Sequence, residues 1–170
     1  MWDSPARRVR RRARVHLERI TLPDPFDLDE FLVMTGADRG RPIEILPLAG
    51  VQLPTVACGL WLPGPTVDWV FVEDSTSPLH REHIVIHEVA HMICGHTTDR
   101  DQPSSLFPHL DPARVRMVLG RTSYTDDQER EAEALASLLL SRAHRTRPAG
   151  PAIVDSALGR AVGVLGPALR

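Results

Sequence analysis

Apolar and polar positions along the chain change period several times, and each change marks a predicted element. Val9, Ala13, Leu17 and Ile20 recur at helical spacing beneath a run of arginines, which predicts an amphipathic N-terminal helix. After Pro23 and Pro25, Asp27 with Glu30 three residues on forms a capping box. It opens a short helix through Leu28, Phe31 and Leu32 that ends between Gly36 and Gly40. The pattern then turns to short β-prone runs. Residues 42–48, 55–62 and 66–73 are strand candidates separated by Pro/Gly turns, the last carrying Val67-Asp68-Trp69-Val70-Phe71-Val72. Connections this short predict an antiparallel meander rather than βαβ crossovers.

Helical signals return at Ser77-Pro78, an N-cap followed by proline at the first helical position. That helix runs to about Cys94 and stops at Gly95. Residues 97–110 read as a polar loop, and Asp111-Pro112 starts a short helix ending at Gly120. Thr125 with Gln128 makes a second capping box, opening a long helix to about Arg145. Pro148-Ala149-Gly150-Pro151 is a break, followed by a weakly amphipathic tail. The expected organisation is a basic helix over 1–22, a main domain over 23–147 and a helical tail over 148–170.

Composition adds three constraints. The chain of 170 residues is 42% hydrophobic and 25% charged, enough to bury a core and unlike a disordered segment. Its net charge of −2 divides into a +5 segment over residues 1–20 (seven Arg against Asp3 and Glu18) and a −7 remainder. Near-neutral charge argues against a protein that grips a nucleic-acid backbone over its whole surface, and leaves weak contact through the Arg-rich N-terminus as the exception. That N-terminus is either a solvated helix packing its apolar side on the domain or an arm for a partner. No apolar stretch of signal-peptide type follows it. Ile45 to Val67 carries no charge, but Pro47, Pro54, Pro63 and Pro65 interrupt it, so strands and turns are expected there and no membrane span. Cys58 and Cys94 cannot make a disulfide framework, and a soluble, cytoplasmic protein with reduced thiols is expected.

Five of the eight histidines fall between His80 and His96, and there the chemistry begins. His87-Glu88-Val89-Ala90-His91 is an HExxH sequence inside a predicted helix. Histidines four apart lie one above the other on one helical face, so both imidazoles can reach one ion at about 2.0–2.1 Å. Glu88, beside the first ligand, is placed to take a proton from an attacking water. The flanking Ile84, Val85, Ile86, Val89, Ala90, Met92 and Ile93 make this helix apolar nearly all round, and buried His and Glu need partners.

A hydrolytic zinc site needs three protein ligands and an open position. The HExxHxxGxxH route fails, because Cys94 and Thr97 stand where Gly and His are needed. His96 is then expected to end the helix or lie at the rim of the site. The other route is a glutamate from the later helix, where Glu129, Glu131 and Glu133 compete. At about 100° per residue from Glu129, the apolar arc of Ala132, Leu135, Ala136, Leu139 and Leu140 runs from about 240° through 300° to about 20°. Glu129 falls inside that arc, Glu133 on its edge at about 40°, and Glu131 at about 200° toward solvent. Glu129 is therefore the expected ligand. Glu133 is expected to accept a ligand histidine's free N–H, or to be the alternative ligand.

His87-Glu88-Val89-Ala90-His91 with Gly95-His96, then Glu129-x-x-Ala132 running into Leu135-Ala136-Ser137-Leu138-Leu139-Leu140, resembles the ImmA/IrrE family of zinc metallopeptidases. The chain departs from that family's helix pattern with Glu133 in place of Asn and Leu135 in place of Phe, and by a long gap between His91 and Glu129. The resemblance spans roughly residues 40–142. It implies an α+β, zincin-like fold, with a small antiparallel sheet packed on the HExxH helix and a C-terminal helix bearing the glutamate ligand. It also implies zinc, with manganese as the alternative ion, and a helix-turn-helix repressor of the XRE type as the cleaved substrate. A non-proteolytic regulatory protein or toxin component acting through partner binding is the alternative function.

The remaining candidates are weaker. His83 and His80, one and two turns before His87, together with Tyr124 and His109, compete to contact substrate or a developing oxyanion. Cys94 is either a small buried hydrophobe or a neighbour of the metal. In zincin-like sites an edge strand holds the substrate in extended form, and residues 66–73, just before the active helix, are the expected strand.

Overall fold

The caps foreseen at Asp27, Ser77 and Thr125 open their helices where expected, and Ser4 adds one that was not foreseen. The computed structural model describes residues 4–47, 59–73, 75–96 and 124–146. Helix α1 (Pro5–Glu18) begins at Ser4, whose side chain accepts the Arg7 N–H. Helix α2 (Leu28–Arg39) begins at Asp27, which accepts the Glu30 N–H at 2.9 Å, and ends at Gly40 with φ 69°. Helix α3 (Pro78–Cys94) begins at Ser77, which accepts the His80 N–H, and ends at Gly95 with φ 68°. Both glycines sit in the left-handed region, which a side chain disfavours. Helix α4 (Asp126–Thr146) opens with a reciprocal capping box: Gln128 N–H donates to Thr125 Oγ1 at 3.3 Å, and Thr125 N–H to Gln128 Oε1 at 2.9 Å. The short helix expected after Asp111, the tail beyond residue 147, Cys58 and His109 lie outside the described residues.

Three strands, β1 (Ile43–Pro47), β2 (Gly59–Pro63) and β3 (Asp68–Val72), form one sheet in the order β1-β3-β2. β2 and β3 are antiparallel, with Trp61 opposite Val70, whereas β1 runs parallel to β3, with Ile45 opposite Val70. The sheet is therefore mixed, and the expected all-antiparallel meander is corrected. Burial explains the order. β3 is an almost continuous apolar run, with Val70, Phe71 and Val72 all buried, and such a strand needs partners on both sides. β1 is half exposed along its length and takes an edge. The same order corrects the edge-strand expectation: residues 66–73 contain the central strand, and the edge beside α3 is β2.

The sheet, α3 and α4 share one core. Val70, Val72 and Trp61 meet Val85, Ile86 and Val89 of α3, and α4 adds Ala132, Leu135, Ala136, Leu139 and Ala143 at helical spacing. α4 packs on α3 along one side and on α1 along another. The stripe of α1 faces inward, with Ala13 fully buried and Leu17 and Ile20 partly so, while most of its arginines are exposed. Among the described residues, no helix is long and apolar enough to cross a membrane.

One charged group is sealed into this frame. Asp68, at 0% exposure, accepts Arg39 Nε–H at 2.9 Å and the Trp61 indole N–H at 3.2 Å. Arg39 also donates to the Met92 carbonyl at 3.0 Å and lies over the Trp61 ring. The carboxylate thereby ties α2, β2, β3 and the end of α3 together. Removing one partner of such a pair leaves the other charge buried alone, which costs about 3–5 kcal/mol. Asp68→Ala is expected to lower the urea unfolding free energy by about that much. A loss under about 1 kcal/mol would show that the network contributes nothing beyond a surface ion pair.

Candidate metal centre

The length and burial of α3 place the HExxH residues. His87 and His91 lie one turn apart with their rings edge to face, and their Nε2 atoms lie 3.1 Å from each other. From α4, Glu129 brings Oε2 to 3.3 Å from His87 Nε2 and 3.6 Å from His91 Nε2. Two imidazole nitrogens and one carboxylate oxygen thus converge within 4.8 Å, as a metal-binding group requires. His₂Glu is a donor set that zinc accepts. Glu129 is held as the anion by these histidines, which bring its carboxyl down to about 2. Burial works against a charged His87, but its hydrogen bond to Glu129 and the nearby carboxylates together raise its pKa. His91, fully enclosed, is pushed down by burial.

Glu88 lies between this group and the sheet. Its Oε2 accepts the backbone N–H of Trp61 on β2 at 2.9 Å. β2 can approach this closely because residue 59 is glycine: a Cβ there would lie 2.4 Å from Ile84 Cγ2 and 3.0 Å from Glu88 Oε1. Burial pushes the Glu88 carboxyl up to about 7, against the opposing pull of His87 and the Trp61 N–H. Glu88 therefore exchanges its proton near neutral pH, which suits a group that takes a proton and later returns it.

The other expected residues divide. Glu133 Oε2 lies 3.4 Å from His87 Nδ1, on the side away from Glu129, and 3.4 Å from His83 Nε2. This is the place foreseen for an acceptor of a ligand histidine's free N–H. Tyr124 stacks its ring on His91, with centroids 3.6 Å apart and planes at 19°. Burial and the charges of Glu88 and Glu129 raise its phenol pKa, so it stays a neutral donor. His80 is exposed in the first turn of α3 and is not drawn into the group.

Two residues were misplaced by sequence reasoning. Glu131 does not point to solvent: it is buried, 3.8 Å from His96 Nε2 and 3.9 Å from His16 Nε2. The helical wheel of α4 counted one apolar face, but α1 covers a second one. His96 is buried and sets its Nδ1 3.0 Å from His91 Nδ1. The signal for this contact was present in the sequence. Gly95 ends α3 in a Schellman turn, with His96 N–H donating to the His91 carbonyl and Gly95 N–H to the Met92 carbonyl. That turn brings the second residue past the helix against the residue five before it. If His91 offers its Nε2 lone pair to a metal, its Nδ1 carries the proton and His96 accepts it. Cys94, expected as a small buried hydrophobe or a neighbour of this centre, is partly buried against the core and also faces His16 and Glu131.

The centre opens onto a groove of about 700 Å³, bordered by His87, Glu129 and Glu133 and, from α1, by Arg10 and Arg14. Comparison with protein-family models, curated proteins and solved structures finds no match to this chain.

The Glu88 environment makes a prediction for the metal-free protein. Its carboxyl binds a proton more tightly folded (about 7) than at its ordinary 4.5. The folded state therefore loses stability as pH climbs from the lower value to the higher, and above both the loss is complete. Glu88→Gln keeps an acceptor for Trp61 and removes the charge. At pH 8 it is expected to be more stable than the parent by about 2–3 kcal/mol in urea unfolding, a gain that vanishes near pH 4. A gain independent of pH would contradict the assignment.

Proposed function

We propose that this chain is a zinc-dependent endopeptidase of zincin-like build, and that its substrate is a helix-turn-helix repressor of the XRE type. The observation that carries the reading is the convergence of His87 Nε2, His91 Nε2 and Glu129 Oε2 beside a carboxyl, Glu88, balanced near neutrality. When bound, zinc or manganese polarises the carbonyl under attack and acidifies the attacking water. The residues do the rest. His87, His91 and Glu129 hold the ion, and Glu133 and His96 orient the two imidazoles through their Nδ1 atoms. Glu88 takes the proton of the attacking water and delivers it to the leaving amine. Tyr124, a neutral phenol beside His91, is the candidate donor to the developing oxyanion, with His83 further out on the Glu133 side.

The substrate is held extended along the edge strand β2, whose Trp61 N–H is turned toward Glu88. The repressor as substrate rests on the family resemblance of the HExxH and Glu129 helices alone. Arg10 and Arg14 give the groove a cationic wall, which suits an acidic stretch of the bound chain.

Two measurements test this. With zinc or manganese present, the parent protein is expected to cut the helix-turn-helix repressor encoded beside it, and Glu88→Ala to be slower by on the order of 100-fold or more. Intact repressor in both reactions sinks the peptidase reading and favours a regulatory metal-binding protein. Independently, Glu129→Ala is expected to lose one equivalent of zinc and Glu133→Ala to retain it. The reverse result would exchange their roles.

A further inference from the structure

Behind the HExxH centre, on the far side of α4, lies a second cluster of metal-ligating side chains. His16 of α1, Cys94 at the end of α3 and Glu131 of α4 each present one donor atom, and these atoms all lie within 4.8 Å of one another. The three come from three different helices and share no ligand with His87, His91 and Glu129. We propose that His16, Cys94 and Glu131 form a second transition-metal site, selective for zinc, that fastens α1 to the α3–α4 pair.

The donor chemistry selects the ion. A thiolate with an imidazole and a carboxylate favours a borderline-soft divalent ion such as zinc over magnesium or calcium, which take oxygen. Ligand atoms around a tetrahedral zinc stand about 3.4–3.8 Å apart, so the group has about 1 Å to close. His16 and Cys94 are only half-enclosed, Glu131, though buried, borders the adjoining groove, and His16 rides on a surface helix, so the closure needs side-chain rotation and no change of fold. A groove of about 570 Å³ opens beside the cluster, giving the ion an entry path and a place for a fourth ligand from solvent. Arg12 Nη1 now lies 3.5 Å from Glu131 Oε2; its side chain is 67% exposed and free to swing into water when the ion takes its place. Binding turns the Cys94 thiol into a thiolate, and the displaced proton leaves to solvent.

The site also has a line to the first centre. Glu131 Oε2 faces His96 Nε2 at 3.8 Å, and His96 Nδ1 meets His91 Nδ1 at 3.0 Å. A metal on Glu131 therefore acts on the residue that orients a ligand of the first ion.

Cobalt(II) reports the second site separately, because thiolate-to-cobalt charge transfer in the near ultraviolet requires a cysteine ligand and the first centre has none. The full chain titrated with cobalt is expected to show that band and to bind two equivalents of zinc in equilibrium dialysis. Cys58→Ser and Glu129→Gln should keep the band. Cys94→Ser should lose it and bind one zinc equivalent fewer, and His16→Ala, on the surface helix, should weaken the second equivalent at least tenfold with unchanged circular dichroism. Absence of the band from the parent, its persistence in Cys94→Ser, or an unchanged zinc count in that variant would overturn the proposal. A Glu88→Ala protein that no longer cuts repressor but keeps the band separates this proposal from the peptidase reading.

Discussion

The structure depends on one constraint: from Ile84 to Met92 α3 is buried on nearly every side, yet it carries two histidines and a glutamate that cannot be left without partners. A polar group enclosed without a hydrogen bond costs about 1–3 kcal/mol, so each surrounding element has to supply an atom as well as apolar surface. The sheet supplies the Trp61 N–H to Glu88. Helix α4 supplies Glu129 to both imidazoles and Glu133 to the outer nitrogen of His87. The turn at Gly95 returns His96 to the inner nitrogen of His91. The same contacts that satisfy these groups aim the Nε2 atoms at one point and hold Glu88 near neutrality. Packing and chemistry are here a single arrangement.

Helix α4 is the element that makes this possible, because it has two working faces rather than one. Its alanines and leucines bring it close to α3, and the closeness lets Glu129 span the distance to both histidines. On its other side Glu131 meets α1, with Arg12, His16 and His96 around it. The Arg-rich helix is thus part of the surroundings of the centre: Arg10 and Arg14 border the groove on one side, and His16 reaches the Glu131 cluster on the other.

Much of the local structure was legible because it is decided by neighbours in sequence. Ser77-Pro78, the Thr125–Gln128 box and the stops at Gly40 and Gly95 depend on residues within one turn, and each appears where the chain announces it. That Glu129 is the glutamate within reach of both histidines was also legible, since a helix has a fixed angular step and the apolar arc marks the side turned to α3, although the carboxylate itself stays half exposed. The sheet order was not. Whether β3 lies at an edge or in the centre depends on how many faces are covered, and that is a property of the assembled core. Glu131 was misread for the same reason: one apolar arc predicts one covered face, and the second face is covered by α1, a helix more than a hundred positions away.

By itself, then, the sequence determined where the helices begin and end, that His87 and His91 share a face, and which glutamate of α4 reaches both of those histidines. Those are consequences of helical periodicity and capping, which act over a few residues. Only the tertiary structure decided that Glu88 rests on the edge of β2, that His96 supports His91, and that His16, Cys94 and Glu131 meet behind the centre. Each of these joins residues whose separation along the chain carries no information about their distance, and which come together only when three layers close on α3.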